Sequence, residues 1–151
     1  MMFVFDLDFT LWDCGGTWCD CTNPPFAIKG SEVYDKRGRH IRLYPEVIPI
    51  LDKLKSKGNT MALASRTEEP EWAIELIKLL DISHYFKFKE IFPDRKTIHF
   101  EKLKFQSAVP YQKMVFFDDE FRNIKDVSAL GVHCILVPNG LNTKLVEPWM
   151  P

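Results

Sequence analysis

Residues Phe5–Trp12 read "FDLDFTLW" and follow directly on the apolar run Met1–Phe5. That run is short and aromatic-rich, as a buried strand is. Asp6 and Asp8 therefore arrive at the end of a core strand, where an unpaired charge is costly. Carboxylates placed there are either paired with positive charge or positioned for chemistry. If the strand continues, residues i and i+2 point to the same side, so Asp6 and Asp8 are expected to face one site.

Outward from this stretch, residues 9–31 hold several Gly and Pro and no clear period, which predicts an irregular loop. "EVYDKRGRHIRLY" predicts a hairpin with arms Glu32–Tyr34 and His40–Tyr44 about a "DKRG" turn. From Pro45 the period becomes helical: Val47, Ile48, Ile50, Leu51 and Leu54 share a stripe, and Gly58 is a natural stop. Strands are then expected at Thr60–Ser65, Tyr85–Phe92, Met114–Phe117 and in "VHCILV". Helices are expected at Glu69–Leu80, Lys96–Gln106 and Phe121–Leu130, and the tail from Asn139 is short and helical. Alternating strands and helices imply parallel strands with right-handed crossovers, a three-layer α/β fold around a central parallel sheet. Residues 1–151 form one domain, with residues 9–44 as a loop-and-hairpin insertion.

With 46% hydrophobic and 27% charged residues in 151 positions, the chain has material for one core. A net charge of -1 shows no electrostatic footprint for nucleic acid or membrane. No apolar run approaches the about 20 residues a membrane span needs. The N-terminus lacks a basic region and meets acid at Asp6, unlike a signal peptide. A cytoplasmic protein is expected, with Cys14, Cys19, Cys21 and Cys134 as reduced thiols. Cys14, Cys19 and Cys21 with His40 form a possible zinc set, although their spacing is not the usual C-x2-C. A cysteine-nucleophile phosphatase needs Arg six residues after the Cys; Asp20, Pro25, Ala27 and Gly140 stand there.

In an open parallel sheet, ligands bind outside the carboxyl ends of the strands. Three expected strands end in polar groups: Asp6, Asp8 and nearby Thr10; Ser65, Arg66 and Thr67; Asp118 and Asp119. Lys96 opens a helix just after another strand and is a better placed cation than Lys89 or Lys102. Converging carboxylates repel, and Mg²⁺, which prefers oxygen ligands, is the simplest remedy. Lys96, Arg66 and the hydroxyls of Thr10 and Ser65 would then meet a dianionic phosphate. Asp6 could attack phosphorus, and Asp8 could protonate the leaving oxygen and later assist water. The blander alternatives are surface pairing of Arg66 with Glu68 or Glu69, and helix capping by Ser65 or Asp119. Trp12, Trp18 and Phe26 flank the expected site, as core packing or as an aromatic wall. His84, His99 and His133 show no partner pattern.

"DLDFT", Ser65, Lys96 and the Asp118–Asp119 pair occur in the order of the four motifs of the haloacid dehalogenase superfamily. The chain resembles that superfamily over roughly Phe3 to Val137. "FDLDFTLW", "PPF", "LYPEV", "ASRT", "EIFP", "TIHF" and "MVFFDDEFRNI" resemble its small magnesium-dependent phosphatases. The resemblance implies a capless, Rossmann-like phosphatase using Mg²⁺. Its implied substrates are phosphosugars, including phosphorylated sugar–amine adducts, or phosphotyrosine-like esters on small molecules or proteins. It further implies Asp6 as nucleophile and metal ligand, and Asp8 as acid/base with its backbone carbonyl as a ligand. Ser65, Arg66 and Lys96 are implied phosphate-binding residues, and Asp118 or Asp119 completes the metal site. Phe9 replaces a Tyr common in this branch, and "DCGGTWCDC" and the tail beyond Val137 depart from the pattern.

Spacing also excludes a full lid: about 57 positions separate Asp8 from Ser65, and a core helix and strand use about 20 of them. Two other readings compete with a phosphatase. One is a non-catalytic phosphate-binding scaffold, against which the complete polar set argues. The other is a phospho-accepting signalling domain, which carries its acceptor Asp on a middle strand; here the middle strand is expected to end in Ser65.

Overall fold

The computed structural model describes residues 1–151. Five parallel strands form the central sheet: β1 (Met2–Phe5), β6 (Thr60–Ser65), β7 (Phe88–Ile91), β8 (Met114–Asp118) and β9 (His133–Leu136). Their lateral order is β7-β6-β1-β8-β9. The chain winds outward from β1 through β6 to β7, then crosses back to place β8 on the other flank of β1. That reversal is the topological switch at which α/β sheets bind ligands. The middle strand is therefore β1, which ends at Asp6, and not the strand ending in Ser65. The expected contrast with phospho-accepting domains, built on strand position, is lost.

The pleat divides the core between two faces. Phe3, Phe5, Met61, Leu63, Val115 and Phe117 pack with α1 (Val47–Ser56) and α2 (Pro70–Leu79). Met2, Val4, Ala62, Ala64, Met114 and Phe116 pack with α3 (Lys96–Ser107) and α4 (Phe121–Ser128). Helix α1 closes with Gly58 at φ 79°, and the Asn59 amide donates to the Leu54 carbonyl at 3.1 Å, the left-handed C-terminal motif glycine favours. The short α5 (Thr143–Val146) packs Val146 against the first core. No helix is long and apolar enough to cross a membrane.

The largest difference from expectation lies in the insertion. The supposed loop contributes β2 (Trp12–Cys14), a 3-10 turn at Cys19–Cys21 and β3 (Ala27–Lys29). With the expected hairpin, β4 (Glu32–Tyr34) and β5 (His40–Leu43), these make an antiparallel sheet of order β2-β5-β4-β3. Strands of three residues carry too little periodicity to be seen against their flanking glycines. The third core strand is also shorter than Tyr85–Phe92, because Ser83–Tyr85 form a 3-10 turn.

Candidate active site

The same pleat sets the site. Asp6 continues the Met2, Val4 series and Asp118 continues the Met114, Phe116 series, so both turn toward the face covered by α3 and α4. Lys96, the first residue of α3, lies 1% exposed between them. Its Nζ donates to Asp6 Oδ1 at 3.0 Å, Asp118 Oδ2 at 3.0 Å and the Ala64 carbonyl at 2.6 Å. An ammonium has three N–H groups, and all three meet protein acceptors. Lys96, expected to bind phosphate, lines the site with its charge, and its three N–H groups are taken by these acceptors.

Asp8 departs from the expected i, i+2 geometry. The strand stops at Phe5, and the Leu7 carbonyl receives the amides of Thr10, Leu11 and Trp12 at 3.1, 2.9 and 3.2 Å. Phe9 sits at φ 61°, a left-handed conformation a bulky residue seldom adopts. The turn carries the Asp8 carboxylate to the insertion side. There its Oδ1 accepts from Trp12 Nε1 at 2.7 Å and from the Cys19 amide at 2.9 Å. Thr10 is fully buried and donates to Asp6 Oδ2 at 3.4 Å. It steadies the first carboxylate and does not line the cavity where phosphate was expected to meet it.

The carboxylate oxygens of Asp6, Asp118 and Asp119 lie within 4.8 Å of one another. Three carboxylates against one Lys96 leave two negative charges, which suits a divalent cation. All the donors are hard oxygens, the set Mg²⁺ takes. Asp118 is fully buried and Asp119 half-buried. The Asp8 carboxylate stands outside this group, and its expected contribution as a ligand is its backbone carbonyl. No set including Cys14, Cys19, Cys21 and His40 comes together as a metal site. Burial pushes the Cys14 and Cys19 thiols up.

Burial, and then the neighbouring Asp118, hold the Asp6 carboxyl well above the ordinary range, against the pull of Lys96. Burial also raises Asp8, although the bonds from Trp12 and Cys19 pull it back. Asp119 is pushed up to about 6, chiefly by burial. Burial alone would lower Lys96, but Asp6 and Asp118 override it and raise the ammonium's pKa.

An open cavity of about 530 Å³ covers these groups. Asp6, Asp8, Ser65, Arg66, Lys96 and Asp119 all line it, and Trp18 is its single apolar wall residue. Trp12 and Phe26 are buried and do not form an aromatic wall. Ser65 Oγ accepts from the Thr67 amide at 3.3 Å. Arg66 Nη1 donates to Asn123 Oδ1 at 3.0 Å, and it forms no pair with Glu68 or Glu69.

Several contributors escaped the sequence reading. Trp12 and Cys19 hold Asp8, and Asn123 links Arg66 to Asp118. His99, assigned nothing beforehand, is buried with Nε2 2.8 Å from the Ser65 carbonyl oxygen and Nδ1 3.0 Å from that of Arg95. It ties α3 to the end of β6. The Cys19–Cys21 turn docks on the loop after β6: Cys19 Sγ lies 3.3 Å from Thr67 Oγ1, and the Glu68 amide donates to Asp20 Oδ2 at 3.2 Å. Only the Asn123 link had a visible cue, a polar residue one helical turn after the paired acids.

The Acid Phosphatase family matches residues 1–149. Magnesium-dependent phosphatase 1 of Homo sapiens is 50% identical over 147 residues, 95% of this chain and 81% of that protein. A protein of the haloacid dehalogenase-like hydrolase superfamily from Schizosaccharomyces pombe is 34% identical over 142 residues, 85% of this chain and 80% of that one. Among solved structures, a Bacteroides fragilis fragment containing a phosphatase domain complexed with Mg superposes with a TM-score of 0.67 at 18% identity. The match covers 91% of this chain but 36% of that longer one, and carries the fold alone.

Proposed function

The chain belongs to the Acid Phosphatase family, within the haloacid dehalogenase superfamily, and from that premise we propose that it cleaves phosphate monoesters through an aspartyl-phosphate on Asp6. It is a phosphoric monoester hydrolase whose cofactor is Mg²⁺. The observation that supports the mechanism is the convergence of Asp6, Asp118 and Asp119 on one point beside Lys96.

Asp6, Asp118 and Asp119 would hold the cation, with the Asp8 carbonyl as a further donor. When bound, Mg²⁺ supplies positive charge against the phosphoryl oxygens. Ser65, Arg66 and the Lys96 charge orient the phosphate over Asp6. The Asp6 carboxylate attacks phosphorus, and the bond to the ester oxygen breaks. Asp8, whose carboxyl burial raises above its ordinary pKa, delivers a proton to the leaving oxygen. Water then attacks phosphorus of the acyl phosphate, Asp8 takes its proton, and phosphate departs with Asp6 regenerated.

The open cavity admits a phosphate carried by a small molecule or a protein. Its wall is polar apart from Trp18, which supports a phosphosugar over a phosphotyrosine-like ester. The test is Asp6→Asn, nearly isosteric. Hydrolysis of an aryl phosphate should fall by at least about a thousandfold while the circular dichroism spectrum is unchanged. Full activity in this variant would refute the nucleophile assignment. A panel of phosphate esters at fixed pH tests the substrate preference.

A further inference from the structure

We propose that Asn123 is a positioning residue that holds Arg66 in its phosphate-binding pose and takes its own orientation from the metal-site residue Asp118. The proposal rests on the reading of Arg66 as phosphate-binding.

Arg66 leaves the β6 loop on a long side chain that costs substantial rotamer entropy to fix. Its Nη1 donates to Asn123 Oδ1 at 3.0 Å. Asn123 lies in the first turn of α4 and is 2% exposed. Its amide has two ends that differ chemically, and the pocket decides which faces which neighbour. Nδ2 donates to Asp118 Oδ2 at 3.0 Å. Both Asp118 oxygens already accept, Oδ2 from Lys96 Nζ and Oδ1 from the Glu120 amide, so the NH₂ end faces Asp118 and the carbonyl end faces Arg66. A guanidinium, conversely, only donates. The acid, the amide and the guanidinium thus fit in one order alone. One N–H of Arg66 is committed to this link, which leaves the rest of the fork for phosphate oxygens. Asp118 Oδ2 also receives Lys96 at 3.0 Å, so one carboxylate oxygen fixes both cationic side chains of the site.

The test is a double-mutant cycle read as affinity for inorganic phosphate, by calorimetry on the Mg²⁺-loaded full chain. Asn123→Ala should weaken phosphate binding about tenfold, the loss of one bond to a charged group. It should raise KM for an aryl phosphate in step. In an Arg66→Met background, the same change should shift phosphate affinity less than twofold, because the side chain it positions is gone. Equal shifts in both backgrounds, or a phosphate affinity that Asn123→Ala leaves unchanged in the otherwise wild-type chain, would overturn the proposal. A residue with only a packing role would lower the unfolding midpoint without this background dependence. If Asn123→Ala does not fold, Asn123→Ser carries the same cycle. Wild type that hydrolyses esters with an additive cycle refutes the positioning role alone. Wild type that neither binds phosphate nor hydrolyses refutes the underlying reading as well.

Discussion

Replacing Lys96 by Met should destabilise the metal-free protein severely, and more so as pH rises. Lys96 is 1% exposed, and its Nζ satisfies Asp6, Asp118 and a backbone carbonyl. Met keeps most of the volume but removes the charge and three donors. Removing one partner of a buried ion pair costs about 3–5 kcal/mol, because the other charge is left behind. For a domain of this size each kcal/mol moves the midpoint by about 2–4 °C, so a fall of about 6–20 °C is expected. The pH dependence follows from Asp6, already held well above its ordinary pKa by burial and Asp118. Without Lys96 its proton is held more tightly still. A folded-state pKa above the unfolded one stabilises at low pH, and that contribution is lost as pH rises through the folded value. The measurement is urea unfolding in EDTA at pH 5.5 and pH 8, with saturating Mg²⁺ as the comparison. Mg²⁺ should recover much of the loss at pH 8 by occupying the acidic cluster. A loss at pH 8 below about 1 kcal/mol, or one unaltered by pH, would show that Lys96 is not the counter-ion of these acids.

Two other outcomes are expected. Asp119 titrates near 6 in the metal-free fold, chiefly through burial, and a metal must displace its proton. Apparent Mg²⁺ affinity, followed by calorimetry, should therefore fall by at least about tenfold per pH unit below that value, since the raised Asp6 proton must leave as well; a flat profile from pH 5 to 7 would exclude Asp119 as a ligand. Trp12→Phe removes the Nε1 donor 2.7 Å from Asp8, a bond that favours the ionised carboxylate. The Asp8 pKa should rise, moving its limb of the pH–rate profile alkaline, and kcat for an aryl phosphate should drop by about tenfold or more. An unmoved limb would separate Asp8 from proton transfer.

The acids themselves were plain in the chain, because a carboxylate after an apolar strand has few physical explanations. The alternation of strands and helices likewise carried the parallel sheet and three layers, since each element must bury one face. Thr60–Ser65 matches its expected strand residue for residue, being an apolar run with Gly58 before it and polar residues after. The short strands β2 and β3 were hidden, because three residues cannot show a period.

What the sequence determined by itself is the chemistry available: which acids, hydroxyls and cations stand at the ends of buried strands. What only the tertiary structure decided is their company. Strand order put β1 at the centre, and the pleat turned Asp6 and Asp118 onto the side where α3 delivers Lys96. A turn at Phe9 swung Asp8 away to Trp12 and Cys19. Asn123 met Arg66 across 57 positions. These relations depend on contacts between distant segments, which local propensity and periodicity do not encode, whereas burial and charge are properties each short stretch carries with it.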